Sequence, residues 1–210
     1  MKDVLVVKLG GSLAGSAGLR GWLEVLETCG QKIIIVPGGG PFADAVRAAQ
    51  PLMGYDDATA HDMALLAMAQ YGQALAGLSR TGVLVSELTE IEGVLLRRRI
   101  PVWSPQVLVG DYVSVQPGWD VTSDSLAAWL AGRLGARRLL LVKQVDPGDV
   151  HADDLATRHI VDPRFAAMLT QSGAQGWIAG PVDLPGAGSI LKAGGIPGQR
   201  IHLPPPQNIA

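Results

Sequence analysis

The sequence predicts an α/β protein with a three-layer α/β/α architecture, in which a mainly parallel sheet lies between two layers of helices. Three observations predict this fold class. Short apolar runs alternate with helical patterns along all 210 residues, as they do in successive strand–helix–strand units. The run at residues 139–142 is apolar at every position, which is typical of a strand buried on both faces of a parallel sheet. Glycine-rich loops follow two of the runs, at the sheet edge where such folds place their ligands.

The first half of the chain contains alternating strand and helix signals. Four apolar runs predict strands, at residues 4–7, 32–36, 82–85 and 101–103. Apolar residues recur at helical spacing in three segments, at residues 19–26, 42–49 and 58–78. Residues 91–96 indicate a short helix or a turn. Alternating apolar residues at 105–118, among them Tyr112, predict a hairpin or a flap.

The stretch at residues 119–146 joins a polar turn, a helix and a buried strand without a break. Thr122 or Ser123 can cap the helix, because both side chains accept hydrogen bonds from the free N–H groups of a first turn. Asp124 therefore lies in the first turn of a helix. Lys143 lies just past the carboxyl end of the buried strand that follows.

The last third of the chain continues the same alternation with shorter elements. A polar loop at residues 144–154 is followed by four predicted elements: a helix at 163–169, a strand at 176–179, a short helix at 186–192 and a strand at 199–202. The prolines at 204–206 indicate a tail that no core requires. We expect one domain over residues 1–210.

Composition excludes several classes of protein. A formal net charge of -2 gives no electrostatic footprint for nucleic acid. The single cysteine, Cys29, precludes an internal disulfide, and its position before a glycine turn indicates a small core residue. No apolar run approaches the roughly 20 residues of a membrane span. The amino terminus lacks the features of a signal peptide, so we expect a cytoplasmic protein with no membrane association.

Two glycine-rich loops are candidate anion sites. Lys8, Gly10, Gly11 and Ser12 follow the first predicted strand, and Gly38–Gly39–Gly40 follow the second. Glycine allows a backbone to approach a phosphate closely, and a following helix adds its positive end. The alternative for the first loop is a glycine-rich turn with a lysine that reaches into solvent. Neither loop has the spacing of a P-loop or of the dinucleotide fingerprint.

Three charged residues are predicted to meet at the sheet edge that carries these loops. Lys8 and Lys143 follow strands, and Asp124 begins a helix. Two cations and one carboxylate suit phosphoryl transfer, in which the protein balances the charge of the migrating group and holds it in line. Asp124 can hold the lysines by ion pairing or contact Mg²⁺ through solvent. No protein side chain is predicted as a direct metal ligand.

Four segments together resemble the amino-acid kinase family, which includes acetylglutamate, aspartate, uridylate and isopentenyl phosphate kinases. These segments are VVKLGGS at 6–12, VPGGGPFA at 36–43, VTSDSLAAWLA at 121–131 and LLVKQVD at 140–146. The resemblance implies an α/β/α fold with the phosphoryl acceptor in the amino-terminal half and ATP on the carboxyl-terminal half. It also implies Mg²⁺ as the cofactor of ATP and a homo-oligomeric assembly.

The resemblance further implies roles for individual residues. The catalytic residues would be Lys8, Asp124 and Lys143. The nucleotide would contact Gly10, Gly11, Ser12, Lys143, Asp146, Gly148 and Val150. The acceptor would contact Gly38, Gly39, Gly40, Asp62, Trp119, Asp120 and Thr122. Asp62 and Asp120 rest on position alone, as carboxylates that could meet an ammonium group of the acceptor.

Within the family, the phrases PGWDVTSDS and HIVDPRF are most similar to the archaeal-type branch that converts a monophosphate into a diphosphate. That branch includes the aminomethylfuran-methyl phosphate kinase of methanofuran biosynthesis, which we adopt as the specific hypothesis. The alternatives are a carboxylate kinase with an amino-acid acceptor, and a nucleotide- or oxyanion-binding protein without turnover. Two positions depart from the family pattern, since Pro147 precedes Gly148 and Gln199 stands where a threonine often precedes the last strand.

Overall fold

The computed structural model describes residues 1–111, 113 and 115–203, and a single sheet forms its middle layer. The strands of this sheet are β1 (Leu5–Leu9), β2 (Ile33–Pro37), β3 (Gly82–Val85), β4 (Ile100–Trp103), β5 (Arg138–Val142), β6 (Gln175–Ala179) and β7 (Gln199–Arg200). Their order is β3-β4-β2-β1-β5-β6-β7. Strands β1 to β6 are parallel, and β7 pairs with β6 in the antiparallel sense.

Helices cover both faces of the sheet. They are α1 (Gly18–Thr28), α2 (Gly40–Met53), α3 (Asp57–Leu78), α4 (Leu88–Leu96), α5 (Ser123–Leu134), α6 (Ala152–Thr157), α7 (Phe165–Ser172) and α8 (Leu184–Lys192). Buried side chains of α4, α5, α6 and α7 form one core cluster with one face of the sheet. Those of α1, α8 and the second half of α3 form the other. The predicted three-layer α/β/α fold is therefore confirmed.

The alternation of side chains along β1 decides which layer each residue faces. Val6 packs in the cluster that contains α5, whereas Leu5 and Val7 pack in the cluster that contains α1. Because successive side chains of a strand point to opposite faces, Lys8 projects towards the layer of α5. The Lys8 ammonium group, near the carboxyl end of β1, therefore lies on the same side of the sheet as α5.

Three predictions about the shorter elements were wrong. Of the hairpin or flap predicted at residues 105–118, the hairpin is absent from the part that the structure describes, where a 3-10 turn at Pro105–Leu108 and irregular backbone replace it; the flap stays a prediction. The polar loop predicted at 144–154 contains the start of α6. The last strand is shorter than predicted, and among the described residues 201–203 only His202 forms a further, isolated bridge, with His151. The predictions for Tyr112 and for the tail at 204–206 lie outside the described residues.

The remaining predicted elements agree with the structure to within a few residues. Helix α7 begins at Phe165, two residues after the proline that was predicted to open it, and α2 continues through Pro51. Cys29 is buried at the end of α1, as expected of a small core residue. Among the described residues, no helix combines the length and apolar character needed to cross a membrane.

Candidate active site

Lys8, Asp124 and Lys143 meet in one buried cluster at the carboxyl edge of the sheet. The Lys8 ammonium lies 2.9 Å from Oδ1 of Asp124. The Lys143 ammonium donates to both carboxylate oxygens of Asp124, at 2.8 Å to Oδ1 and 2.7 Å to Oδ2. All three side chains are buried. The structure thus brings together the three residues that the sequence nominated as catalytic.

Strand parity and sheet order explain why these residues meet. Lys143 comes two residues after Leu141, which faces α5, so its side chain points to the same layer as that of Lys8. Strands β1 and β5 are neighbours, and Asp124 lies in the first turn of α5 above them. The chain places β2 on one side of β1 and β5 on the other. The cluster therefore lies at a topological switch point, where open α/β sheets bind ligands.

The charges of the cluster shift one another's ionisation. Burial alone would raise the pKa of Asp124, but the charges of Lys143 and Lys8 hold that pKa below its usual value. Burial lowers the pKa of Lys143 to about 8, against the attraction of Asp124 and with repulsion from Lys8 adding to the effect. With Asp124 ionised and both lysines protonated, the cluster carries one net positive charge. An anion that enters the site supplies the missing negative charge.

The first turn of α5 is held in place by a carboxylate from another part of the chain. Thr122 is the N-cap, as predicted, but its hydroxyl donates to Asp162 at 2.9 Å instead of capping the helix itself. Asp162 also accepts the backbone N–H groups of Thr122 and Ser125, each at 3.0 Å, and the Ser125 hydroxyl. Burial raises the pKa of Asp162, and the nearby charge of Asp124 raises it further. Asp162 therefore fixes the turn that carries Asp124.

The two glycine-rich loops pack against each other, backbone to backbone. A Cβ atom at Gly11 would lie 2.4 Å from the nitrogen of Gly40, and one at Gly38 would lie 2.3 Å from the nitrogen of Gly11. A Cβ at Gly10 would lie 2.9 Å from the carbonyl oxygen of Val142. Gly11 and Gly38 are thus required by the contact between the loops, and Gly10 by its contact with the end of β5, in addition to the close approach of a phosphate that the sequence suggested.

A cavity of about 250 Å³ opens beside the cluster at the carboxyl edge of the sheet. Most of its lining comes from the amino-terminal half of the chain. Its inner end contains Lys8 and the two glycine loops, represented by Gly11 and Gly40. Helix α2 starts at Gly40, so its unpaired N–H groups and the positive end of its dipole lie at this inner end. The inner end is therefore suited to an anion. Lys143 does not line the cavity and contacts both oxygens of Asp124.

The predicted acceptor residues are only partly brought together. Gly39, Gly40, Trp119 and Thr122 line the cavity, as does Ser12, which the resemblance had given to the nucleotide. Gly38 lies behind the lining and packs on Gly11. Asp62 and Asp120 do not line the cavity. The carboxylate of Asp62 accepts a hydrogen bond from the backbone of Gly110, and Asp120 is exposed and contacts Arg164 through its carbonyl.

Of the residues predicted for the nucleotide, Gly10, Gly11 and Ser12 follow β1, and the others lie in or just before the loop after β5. The carboxylate of Asp146 accepts the N–H of Val182 at 3.3 Å, so this loop packs against the turn after β6. Gly148 is exposed and has a φ of 64°, which favours glycine. Val150 is buried in the core beside α6, so its side chain is not available to a nucleotide. The loop thus offers Asp146 and Gly148, but not Val150.

Sequence reasoning missed several residues of the site. The cavity takes Asp44 and Arg47 from α2, and it also contains His61 of α3, whose position at the polar start of that helix allowed a place in a pocket. Asp44 and Arg47 come four and seven residues after Gly40, a spacing that places all three on one face of a helix. That periodicity was a usable signal. No comparable signal marked Asp162, because its partners lie about forty residues earlier in the chain.

The cluster of Lys8, Asp124 and Lys143 fits phosphate groups better than it fits a magnesium ion. Both oxygens of Asp124 are occupied by lysine ammonium groups. Mg²⁺ prefers carboxylate oxygens that are free to coordinate it, and it is often held by substrate phosphates and water. Lysines and backbone N–H groups, by contrast, suit phosphate oxygens. We therefore assign Asp124 to the organisation of the two lysines and give it no role as a metal ligand.

Comparisons with known proteins agree with this geometry. Residues 3–147 match the model described as "Amino acid kinase family". The chain is 26% identical over 179 residues to the [5-(aminomethyl)furan-3-yl]methyl phosphate kinase of Methanocaldococcus jannaschii, a match that covers 79% of this chain and 82% of that protein.

Two solved structures have the same fold. The uridylate kinase of Archaeoglobus fulgidus aligns with a TM-score of 0.71 at 19% identity, over 96% of this chain and all of that one. The UMP kinase of Ureaplasma parvum aligns with a TM-score of 0.68 at 15% identity, over 95% of this chain and 96% of that one.

Proposed function

The chain belongs to the amino acid kinase family and is an ATP-dependent kinase, and from that premise we propose that it transfers the terminal phosphoryl group of ATP to the phosphate of a small phosphorylated amine. The specific acceptor that we propose is [5-(aminomethyl)furan-3-yl]methyl phosphate, and the product would be the corresponding diphosphate. The relative from Methanocaldococcus jannaschii, which bears the name of that activity, supports this choice.

One observation carries the proposal: a single buried carboxylate holds two lysines, one of which lies at the inner end of a cavity where a helix also begins. Asp124 contacts both ammonium groups within 2.9 Å. Lys8 faces the cavity, whereas Lys143 lies on the side of the loop that contains Asp146. On the proposed mechanism, Lys8 would lie on the acceptor side of the migrating phosphoryl group and Lys143 on the nucleotide side.

The geometry meets the chemical demands of phosphoryl transfer between two phosphates. The acceptor oxygen is already an anion, so no general base is needed. The enzyme must instead balance negative charge on both substrates and hold the attacking and leaving oxygens in line. Lys8 and the N–H groups at the start of α2 would bind the acceptor phosphate. Lys143 would bind the phosphates of the nucleotide, and Mg²⁺, held by those phosphates, would add positive charge there.

The test is the release of ADP with a panel of acceptors. The panel contains the aminomethylfuran phosphate, an amino acid and a nucleoside monophosphate, each with ATP and Mg²⁺. We expect ADP with the aminomethylfuran phosphate and a diphosphate product by mass spectrometry. Turnover with the amino acid alone would replace the proposal with a carboxylate kinase. Tight ATP binding without ADP from any acceptor would indicate a binding protein.

Replacement of Lys8 tests the mechanism directly. Lys8→Ala removes one cation from the transition state and should lower kcat by about 10² to 10³, by analogy with removal of one oxyanion donor. ATP should still bind, because Lys143 and the carboxyl-terminal loops remain. Lys2→Ala, which removes an exposed lysine at the amino terminus, is the matched control. A kcat in Lys8→Ala close to that of the control would contradict the mechanism.

A further inference from the structure

The outer end of the cavity contains a connected group of polar and aromatic side chains that the transfer reaction does not use. Arg47 lies over the ring of Trp119, with its guanidinium carbon 4.5 Å from the ring centroid. The same guanidinium pairs with Oδ1 of Asp44 at 3.1 Å. The indole N–H of Trp119 donates to the side chain of Gln50 at 2.8 Å. We call Asp44, Arg47 and Trp119 the outer cluster.

Helix geometry gives the distance between the two ends of the cavity. Gly40 begins α2 at the inner end, and Arg47 lies seven residues later on the same face. At a rise of 1.5 Å per residue the two positions are about 10 Å apart along the axis. A phosphate on one five-membered ring that also carries an aminomethyl group spans a similar length. An acceptor phosphate at the inner end therefore leaves the remainder of a small molecule beside the outer cluster.

The charges of the outer cluster favour a cation over a second anion. The guanidinium of Arg47 is already shared between the carboxylate of Asp44 and the face of Trp119. An incoming anion would have to share this guanidinium with Asp44 and would be repelled by that carboxylate. The second oxygen of Asp44, Oδ2, has no recorded partner among the described residues, and 75% of the side chain is exposed. Asp44 can accept a hydrogen bond from a ligand without losing its contact with Arg47.

Trp119 supplies a flat apolar wall at a fixed place. Gln50 holds its N–H, Arg47 covers one face, and the carbonyl of the preceding Gly118 lies 3.4 Å from Nδ1 of the buried His61. A ring with several anchors loses little freedom when a ligand packs on it, which suits recognition of a flat group. The exposed ion pair between Asp44 and Arg47, in contrast, contributes little to folding.

We propose that the outer cluster selects the acceptor: Asp44 binds an ammonium group of the substrate, and Trp119 packs against the flat ring that carries it. The acceptor class is then a phosphate ester of a small planar ring bearing a primary amine. Arg47 is a positioning residue that holds both side chains. This inference rests on the proposed function and assigns its specificity to residues of this chain. It also replaces Asp62 and Asp120 as the carboxylates that meet the amine.

The test compares two acceptors that differ only in the amine. One is [5-(aminomethyl)furan-3-yl]methyl phosphate, and the other has a hydroxyl group in place of the amine. We expect the wild-type protein to prefer the amine by at least tenfold in kcat/KM. Asp44→Asn should raise KM for the amine about tenfold, leave kcat and the KM for ATP within about threefold, and leave the hydroxyl compound unaffected. Asp3→Asn, at an exposed aspartate far from the cavity, is the control.

The role of Trp119 is tested on the same pair of acceptors. Trp119→Ala should raise KM about threefold to tenfold for both compounds, because both present the same ring. Circular dichroism of each variant checks that the fold is retained. A preference for the amine that survives in Asp44→Asn would overturn the assignment of Asp44, and unchanged KM values in Trp119→Ala would overturn that of Trp119.

The two proposals fail in distinguishable ways. If the wild-type protein phosphorylates both esters with equal efficiency, the amine is not recognised and the inference about Asp44 is overturned, while the kinase and its phosphate acceptor stand. If it phosphorylates neither ester and transfers to another acceptor with the same dependence on Lys8, the specific acceptor is wrong and both assignments in the outer cluster fall with it. If the wild-type protein prefers the amine and Asp44→Asn loses that preference, both the proposed acceptor and the assignment of Asp44 are supported.

Discussion

Asp124 occupies a position in which one carboxylate neutralises two lysines only in part. Its oxygens receive three contacts from Lys8 and Lys143, none longer than 2.9 Å. A buried ion pair is a weak source of stability, because the cost of desolvating the charges offsets much of their attraction. The arrangement is therefore better explained by chemistry: it holds two cations close together, against their repulsion, in a site that attracts anions.

The depressed pKa of Lys143 predicts a pH dependence. Burial lowers this pKa to about 8, so the free enzyme loses the positive charge as the pH rises through that value. We expect kcat/KM for ATP, which reports on the free enzyme, to fall above about pH 8 and to approach tenfold per pH unit. The measurement is a pH–rate profile from pH 6 to 10, with Lys143→Arg as the comparison.

The activity of Lys143→Arg and the pH dependence of the free energy of unfolding both test whether the pKa of Lys143 is lowered. Arginine stays protonated throughout the range, so Lys143→Arg should lose the descending limb. In the folded chain the lysine releases its proton before it does in the unfolded chain, so the unfolded state binds more protons between pH 8 and the ordinary value of 10.5. This group therefore makes the fold more stable as the pH rises through that window. A flat profile to pH 9.5 in the wild type would contradict the shift.

Individual residues were predictable from sequence where strand or helix position alone determines their place. Lys8 and Lys143 follow buried strands, and Asp124 opens a helix, so topology was enough to predict their convergence. Asp62 does not line the cavity although its neighbour His61 does, because one residue along a helix is a rotation of about 100°. His61 lines the cavity, and Asp62 faces the segment at Gly110 instead. Side-chain direction at that precision depends on how α3 is rotated, which tertiary packing sets.

At the scale of elements, the start of α5 depends on a carboxylate supplied from outside the helix. Asp162 accepts four hydrogen bonds from Thr122 and Ser125. We expect Asp162→Ala to lower the free energy of unfolding by about 2 to 4 kcal/mol, because buried donors lose their partner. It should also lower kcat about tenfold or more by releasing the turn that holds Asp124. Chemical denaturation and steady-state kinetics measure the two effects.

Two further variants separate positioning from general damage to the fold. Thr122→Val removes one of the four hydrogen bonds and should give a smaller loss of the same kind in both measurements. Asp153→Asn removes an exposed carboxylate of α6 and should change neither. If Asp162→Ala loses stability but keeps its kcat at saturating substrates, then Asp162 supports folding and does not position Asp124.

The contact between the glycine loops predicts that alanine will be much more damaging at Gly11 than at Gly15, four residues later in the chain. A Cβ at Gly11 would lie 2.4 Å from the backbone of the other loop, whereas a Cβ at Gly15 meets no atom within 4 Å. We expect Gly11→Ala to cost about 1 to 3 kcal/mol of stability and at least tenfold in kcat, because the loops must separate. Gly15→Ala should leave both unchanged. Thermal melts and ADP-release assays check this, and equal effects in the two variants would contradict the packing.

Long, strongly periodic elements were predictable from sequence, and short ones were not. The helix at 58–78 differs from α3 by one residue, because its apolar pattern runs through six turns. The segment at 105–118 misled because its alternating valines mimic a strand, while Val113, 98% exposed, has no sheet to pack on. Helix α6 has only six residues, too few for a periodic signal. Its start depends on contacts with the end of the chain, such as the hydrogen bond from Ala152 to His202.

At the scale of the whole molecule, strand β1 lies in the middle of the sheet, between the two regions that the proposed mechanism gives to the acceptor and the nucleotide. Strand β1 pairs with β2 on one side and with β5 on the other. The cavity and the outer cluster lie on the side of β2, and the loops with Asp146 and Gly180 lie on the side of β5. Asp124 joins a lysine from each strand at the boundary. On the proposed mechanism, these two sides would bind the acceptor and the nucleotide, and the cluster of Lys8, Asp124 and Lys143 would be the point of transfer between them.

This division predicts separate footprints for the two substrates in hydrogen exchange. The acceptor alone should protect backbone amides at 38–47 and 116–122, and a non-hydrolysable ATP analogue alone should protect those at 143–149 and 180–184. At ligand concentrations about 100 times Kd, mass action predicts roughly 100-fold slower exchange wherever opening requires release of the ligand. Helix α4, at an edge of the sheet, should show unchanged exchange with either ligand and serves as the internal control.

Both regions, together with the start of α5, should be protected when the two ligands are present. Protection of 38–47 by the nucleotide alone would reverse the assignment of the two sides, because Lys8 and the start of α2 would then bind ATP and leave no built anion site for the acceptor.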